Sequence, residues 1–202
     1  MADLTALALI CSLTPSPAPS SSELMALHVL DELAGHGVGT ASLRVVDYNV
    51  MPGVQVDMGD GDAWPGIRER ILAADILVLA TPIWMGHPSS ITQRVIERLD
   101  ADLAETDDAG RPIMYGKVAI VAVVGNEDGA HKTVADTQQA LNDVGFTIPA
   151  QGATYWVGEA MQTVDYKDLD GVPEKVAATT AGAARNAAHL ARSLNHAPYP
   201  AG

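Results

Sequence analysis

Three stretches of the chain, Leu4–Ile10, Ile76–Ala80 and Val118–Val124, are apolar almost without interruption and do not alternate with polar residues. Successive side chains of a strand point to opposite faces, so an unbroken apolar strand must be buried on both. Strands of this kind belong to a parallel sheet covered by helices on each side. A fourth run, Leu43–Val46, precedes Asp47-Tyr48, and a weaker fifth spans Phe146–Ile148 and resumes at Thr154–Val157.

Helical spacing separates the runs. Met25, Val29, Leu30 and Leu33 share a face, and Gly35 or Gly37 ends that helix. Asp62 is placed to cap a helix through Ile67 and Ile71, with Pro65 in its first turn. Ile91, Val95, Leu99 and Leu103 mark a third helix, and Val134, Leu141 and Val144 a fourth. An Ala-rich fifth runs from Val176 through Ala183, Ala187 and Leu190 to Leu194. The pattern is strand then helix, five times over. Right-handed crossovers leave few arrangements, led by the order 2-1-3-4-5. The expected fold is therefore α/β, a flavodoxin-like three-layer sandwich around a five-stranded parallel sheet. One domain is expected over residues 1–195, with the Pro-rich tail His196–Gly202 frayed. Ala104–Gly116 and Gly158–Pro173 are longer connections without a pattern.

Composition narrows the function. The formal net charge of −13 disfavours nucleic acid and anionic lipid as partners. A lone cysteine, Cys11, excludes an internal disulfide and fits a reducing, cytoplasmic setting. Leu4–Ile10 is too short for a leader and follows Asp3 where basic residues belong. No stretch approaches the roughly 18 apolar residues of a membrane span, so a soluble protein is expected. With a single Phe in the chain, the core must be aliphatic, which makes the places of the three Trp informative.

In the 2-1-3-4-5 order the chain reverses direction beside strands 1 and 3, and ligands bind at the carboxyl ends of the strands there. The loops to inspect are Cys11–Ser22, Thr81–Ser89 and Gly125–His131. The first is dense in hydroxyls and opens a helix, whose free N–H groups and positive dipole end suit a phosphate. Pro15, Pro17 and Pro19 supply no N–H, which leaves Ser20, Ser21 and Ser22 as donors, with Ser12 and Thr14 adding hydroxyls. No Lys or Arg precedes Arg44, so the loop itself brings no cation. The other use of Ser20 or Ser22 is simply to cap the helix. Neither G-x-x-x-x-G-K nor G-x-G-x-x-G occurs, which argues against nucleoside triphosphates and Rossmann-type dinucleotides.

The second loop, Thr81-Pro82-Ile83-Trp84-Met85-Gly86-His87-Pro88-Ser89-Ser90, is the most specific. It resembles the T-P-x-Y-x-G segment of the NADPH-dependent FMN reductase and quinone reductase branch of the flavodoxin-like superfamily. The following helix, Ser90 to Glu97-Arg98-Leu99, resembles that family's next element. Ser12 with Ser20-Ser21-Ser22 resembles its serine-rich phosphate loop. Gly125-Asn126-Glu127-Asp128-Gly129 resembles the Gly-rich backbone that the family sets beside the flavin's pyrimidine edge. The likeness covers roughly residues 4–157. The first loop is longer than the family's and lacks its Arg, Trp84 replaces a Tyr, and Gln93 stands where Lys is common.

The resemblance implies an enzyme that binds FMN at Ser12, Thr14, Ser20–Ser22, Thr81–Gly86 and Gly125–Gly129. It implies NAD(P)H as donor and a quinone, free flavin or similar small molecule as acceptor, and a homodimer or homotetramer is the expected assembly. Physically, Gly86 lets backbone approach a planar ring and Trp84 offers a π-face to it. Since the flavin carries the chemistry, no protein acid or base is required. Glu127, Asp128, His87 and His131 are accordingly expected as loop groups, and Cys11 as a small buried residue. Asp57, Asp60 and Asp62 lack calcium-loop spacing and are expected to be solvated, with Asp62 capping its helix. No metal site is expected. The rival expectations are a flavodoxin-type carrier that does not react with NAD(P)H, and a non-redox member of the fold.

Overall fold

The computed structural model describes residues 4–160 and 162–201. Asp3, used above against a leader, and Gly202 of the tail lie outside them. The order of elements is β1 (Thr5–Ile10), α1 (Ser21–Gly35), β2 (Gly39–Arg44), α2 (Trp64–Ala73), β3 (Ile76–Trp84), β4 (His87–Pro88), α3 (Ser90–Leu99), β5 (Val118–Gly125), α4 (Ala130–Val144), β6 (Ala153–Val157) and α5 (Glu174–His196). Five parallel strands are arranged β2-β1-β3-β5-β6, and the short β4 pairs antiparallel with the end of β3. Apart from that hairpin, this is the expected five-strand order.

The unbroken apolar runs feed two cores. Ala6, Ala8, Ile10, Val78, Ile120 and Ala122 face α1 and α5, while Leu7, Leu9, Leu77, Leu79, Val121 and Val123 face α2, α3 and α4. Ala183, Ala184, Ala187, Ala188 and Ala191 of α5 are all fully buried. Their short side chains let that long helix lie close to the sheet and to α1.

Four expectations need correction. β2 begins at Gly39, four residues before the apolar run, and its first four residues are exposed. The fifth strand is Ala153–Val157 alone; Phe146–Ile148 contributes only an isolated bridge from Thr147 to Val118. Asp62 is not solvated. Its side chain is fully buried, 2.8 Å from Arg98, and accepts N–H bonds from Met51, Met58 and Trp64. It thereby starts α2 from two residues ahead and closes the preceding loop onto α3. The tail also differs. Tyr199 lies against Tyr115 with tilted rings 5.2 Å apart and its hydroxyl meets Thr147 Oγ1 at 3.1 Å, surface contacts that tie the tail where fraying was expected.

Candidate active site: a cleft across three strand ends

Cys11 N–H to Ala80 O, 2.8 Å, is the bond that closes β1 against β3. Two residues further along β3 on the same side stands Pro82, which has no N–H to offer and no neighbour there to need one. β3 therefore outruns β1, and the vacated side of its end becomes one wall of a cleft.

The first loop forms the opposite wall. Ser12 Oγ accepts Thr14 N–H at 3.1 Å, and Asp47 accepts Ser16 N–H at 2.8 Å. Arg44, buried beneath, donates to Thr14 O and Ala18 O at 3.1 and 2.8 Å and pairs with Glu23. Ser20 is the N-cap of α1, accepting Glu23 N–H at 3.3 Å. The capping role considered for it is real, and its O–H still has a proton to donate. Ser21 and Ser22 then present N–H groups that no turn of the helix can use. Ser12, Thr14 and Ser20–Ser22 all line the cleft.

The second loop is a β-hairpin. Met85 and Gly86 have φ of +53° and +72°, the primed turn that suits tightly paired strands. Pro82, Ile83 and Trp84 line the cleft, with Trp84 55% exposed, whereas Met85 and Gly86 form the tip outside it. Thr81 lies beneath, wholly buried. It accepts bonds from Ser89 N–H and the Thr92 hydroxyl at 3.1 and 2.7 Å, while Ser89 Oγ donates to Cys11 O at 2.7 Å. Thr81 thus pins the hairpin's base to the end of β1 and does not reach the cleft.

From the third loop, Gly125, Asn126 and Glu127 line the cleft. Asp128 points away and accepts the Gly129 N–H at 2.7 Å. Gly129 is needed for packing: a Cβ there would stand 2.8 Å from Gly86 Cα, and its φ is +117°. Of the expected site residues, then, Thr81, Met85, Gly86, Asp128 and Gly129 shape the loops without lining the cleft. His87 and His131 turn to Lys132 and Tyr155 outside it.

A fourth wall was not expected. Trp156 at the end of β6 and the 3-10 turn Tyr166–Asp168 close the side between α1 and β5. Tyr166 is buried, its hydroxyl 2.9 Å from His28 Nδ1 and its ring 5.6 Å from that of Trp156. Burial pushes its phenol up to about 12. Asn126 donates to Asp165 at 2.6 Å, and Lys167 N–H to Ser21 Oγ at 3.2 Å. Asp168 and Asp165 hold the Lys167 ammonium above the ordinary lysine range, so it is charged. The cleft is thus hydroxyl-rich at the α1 end, where Lys167 lies between Asp165 and Asp168, and the indoles of Trp84 and Trp156 wall it. Cys11 is buried, as expected, and burial pushes its thiol up to about 12, which leaves it unreactive.

The family model for NADPH-dependent FMN reductase matches residues 4–162. The chain belongs to the NADPH-dependent FMN reductase family. That family's members are oxidoreductases, and their cofactor is FMN. The chain is 30% identical over 208 residues to the 8-demethyl-8-aminoriboflavin-5'-phosphate synthase of Streptomyces davaonensis, covering 97% of this chain and 80% of that one. The crystal structure of RosB with bound intermediate 8-demethyl-8-formylriboflavin-5'-phosphate superposes with a TM-score of 0.89 at 30% identity, covering 97% of this chain and 82% of that one. The divalent metal cation transporter MntH of Mycobacterium bovis is 36% identical over 176 residues, 85% of this chain; the chain spans only 26% of that protein's length. Among the described residues no helix is long and apolar enough to cross a membrane, and no group of three or more His, Cys, Asp or Glu could hold a metal ion.

Proposed function

We propose that the cleft holds FMN and that the protein uses it to oxidise NAD(P)H for a small-molecule acceptor such as a quinone or free flavin. The observation that carries this is the joining, in one cleft, of unused donors at the α1 N-terminus with the indole walls of Trp84 and Trp156. That donor set fits a flavin 5'-phosphate: Ser20, Ser21 and Ser22 would hold the phosphate by hydroxyl and N–H, and Ser12 and Thr14 would bond beside it. Trp84, Ile83 and the Gly125–Glu127 backbone would hold the ring. When bound, the flavin supplies the capacity to take and pass on a hydride, and no protein acid or base is required for it.

The chain's own residues do the rest. Pro82 and the Thr81–Ser89–Thr92 network fix the hairpin that presents Trp84, and Arg44 keeps the first loop folded over α1. A homodimeric or homotetrameric assembly and a cytoplasmic place belong to this reading. Anaerobic mixing of the flavin-loaded protein with NADH and NADPH tests it. The flavin absorption bleaches with at least one nucleotide and returns on adding a quinone; an absorption unmoved by both excludes the reductase reading.

A second reading is supported by the 0.89 TM-score to RosB, whose structure holds a modified riboflavin phosphate. Here the flavin phosphate would be the substrate, altered and released. Mass spectrometry of flavin recovered after incubation separates the two, since a reductase returns FMN of unchanged mass.

A further inference from the structure

Among the described residues lining the cleft, Lys167 is the one basic side chain, in a protein with a formal net charge of −13. Glu127 and Asp165 line the same space. A dianionic phosphate held there by hydroxyls and N–H groups gains further from a cation, and Arg44 is not available to be it. Its guanidinium is committed to Thr14 O, Ala18 O and Glu23, and its side chain is 2% exposed. What Arg44 does is draw the Glu23 carboxylate aside from the first turn of α1, where it would compete with an anion for the same N–H groups.

Lys167 is placed differently. Its backbone N–H, donated to Ser21 Oγ, seats the residue beside the N-terminus of α1, although it is 146 residues distant in the chain. Tyr166, anchored on His28 and Trp156, and Asp165, held by Asn126, fix the turn that carries it. Its Nζ meets Asp165 and Asp168 at 2.9 and 2.8 Å, with the side chain 29% exposed. An ammonium has three donors on a flexible stem, so two ion pairs leave one N–H for a further acceptor. Solvent-facing pairs of this kind contribute little and are exchanged at low cost.

We propose that Lys167 supplies the positive charge for the ligand's phosphate and so selects phosphorylated flavin over riboflavin. It takes the part that a basic residue within the first loop would otherwise play. This inference rests on the flavin reading above. Fluorescence titration of wild-type protein, Lys167→Gln and Lys167→Arg with FMN and with riboflavin tests it. Losing one charge-assisted bond to phosphate weakens FMN binding by Lys167→Gln about tenfold to a hundredfold, with riboflavin affinity almost unmoved. Lys167→Arg keeps the charge and binds FMN within about threefold of wild type. Added salt weakens FMN binding more steeply in wild type than in Lys167→Gln. Unchanged FMN affinity in Lys167→Gln, an equal loss for both ligands, or a loss in Lys167→Arg as large as in Lys167→Gln overturns the proposal and leaves the flavin reading standing. Wild-type protein that binds neither ligand overturns both.

Discussion

Glu127 accepts the Gly86 N–H at 2.9 Å, and this bond ties the tip of the Trp84 hairpin to the loop after β5. The two loops also meet where a Cβ on Gly129 would stand 2.8 Å from Gly86 Cα. The walls on either side of the ring end of the cleft are therefore one mechanical unit.

Glu127→Ala removes that tie without touching the core. A partly exposed bond to a charged acceptor contributes on the order of 1 kcal/mol, so the Gly86 amide exchanges several-fold faster in the variant while the sheet amides are unaffected. Glu127→Gln keeps an acceptor oxygen and shows a smaller effect. Equal exchange rates in Glu127→Ala and wild type would mean that the turn holds itself.

The Asp62–Arg98 pair governs stability. Arg98 is fully buried, donates to Met51 O and Gln55 O at 2.8 Å each, and faces the Asp62 carboxylate. Arg98→Met leaves that carboxylate buried and unpaired, which costs about 3–5 kcal/mol in urea denaturation. Burial pushes the Asp62 carboxyl up, but the Met58, Trp64 and Met51 N–H groups and Arg98 outweigh it and hold it below its ordinary 3.8. A depressed carboxyl contributes stability that is complete above the ordinary value and is lost as pH falls through the folded one. Stability of Asp62→Asn is therefore flatter than wild type below pH 3.8. A wild-type acid profile that matches the variant's would contradict this.

Much of the fold was legible because burial on both faces writes itself into β1, β3 and β5 as unbroken apolar runs. The exposed part of β2, Gly39-Thr40-Ala41-Ser42, carries no such signal. The hairpin was hidden for another reason: Met85-Gly86 is not a sequence that advertises a primed turn, and the left-handed φ of Met85 is imposed by its surroundings. In the site, the three switch-point loops followed from topology, and the hydroxyls of the first loop from composition. Thr81 and Gly129 were legible as important but not in their roles, because a motif does not say which residues face the ligand and which hold the loop. Of the fourth wall only the strand that carries Trp156 was legible. Tyr166 and Lys167 sit in a stretch without periodicity, and only tertiary packing onto His28, Trp156 and Ser21 brings them to the cleft.

Ser20 has two duties that two substitutions separate. Its oxygen caps α1, so Ser20→Ala costs about 1 kcal/mol of stability, whereas Ser20→Gly costs only a few tenths. On the flavin reading its O–H would also serve the phosphate, and both variants would lose that equally. Thermal denaturation should thus distinguish the two variants while FMN titration does not. FMN affinities that follow the stabilities would reduce Ser20 to a cap.

On the flavin reading, one cleft recognises FMN through its phosphate and ring together. Titrating the purified protein with FMN, riboflavin and FAD while following flavin fluorescence tests it most directly. Saturable quenching of FMN at one flavin per chain is expected, with riboflavin bound more weakly for want of the phosphate and FAD more weakly than FMN. FMN fluorescence that stays unquenched at every protein concentration, in protein that carries no flavin of its own, would contradict the account.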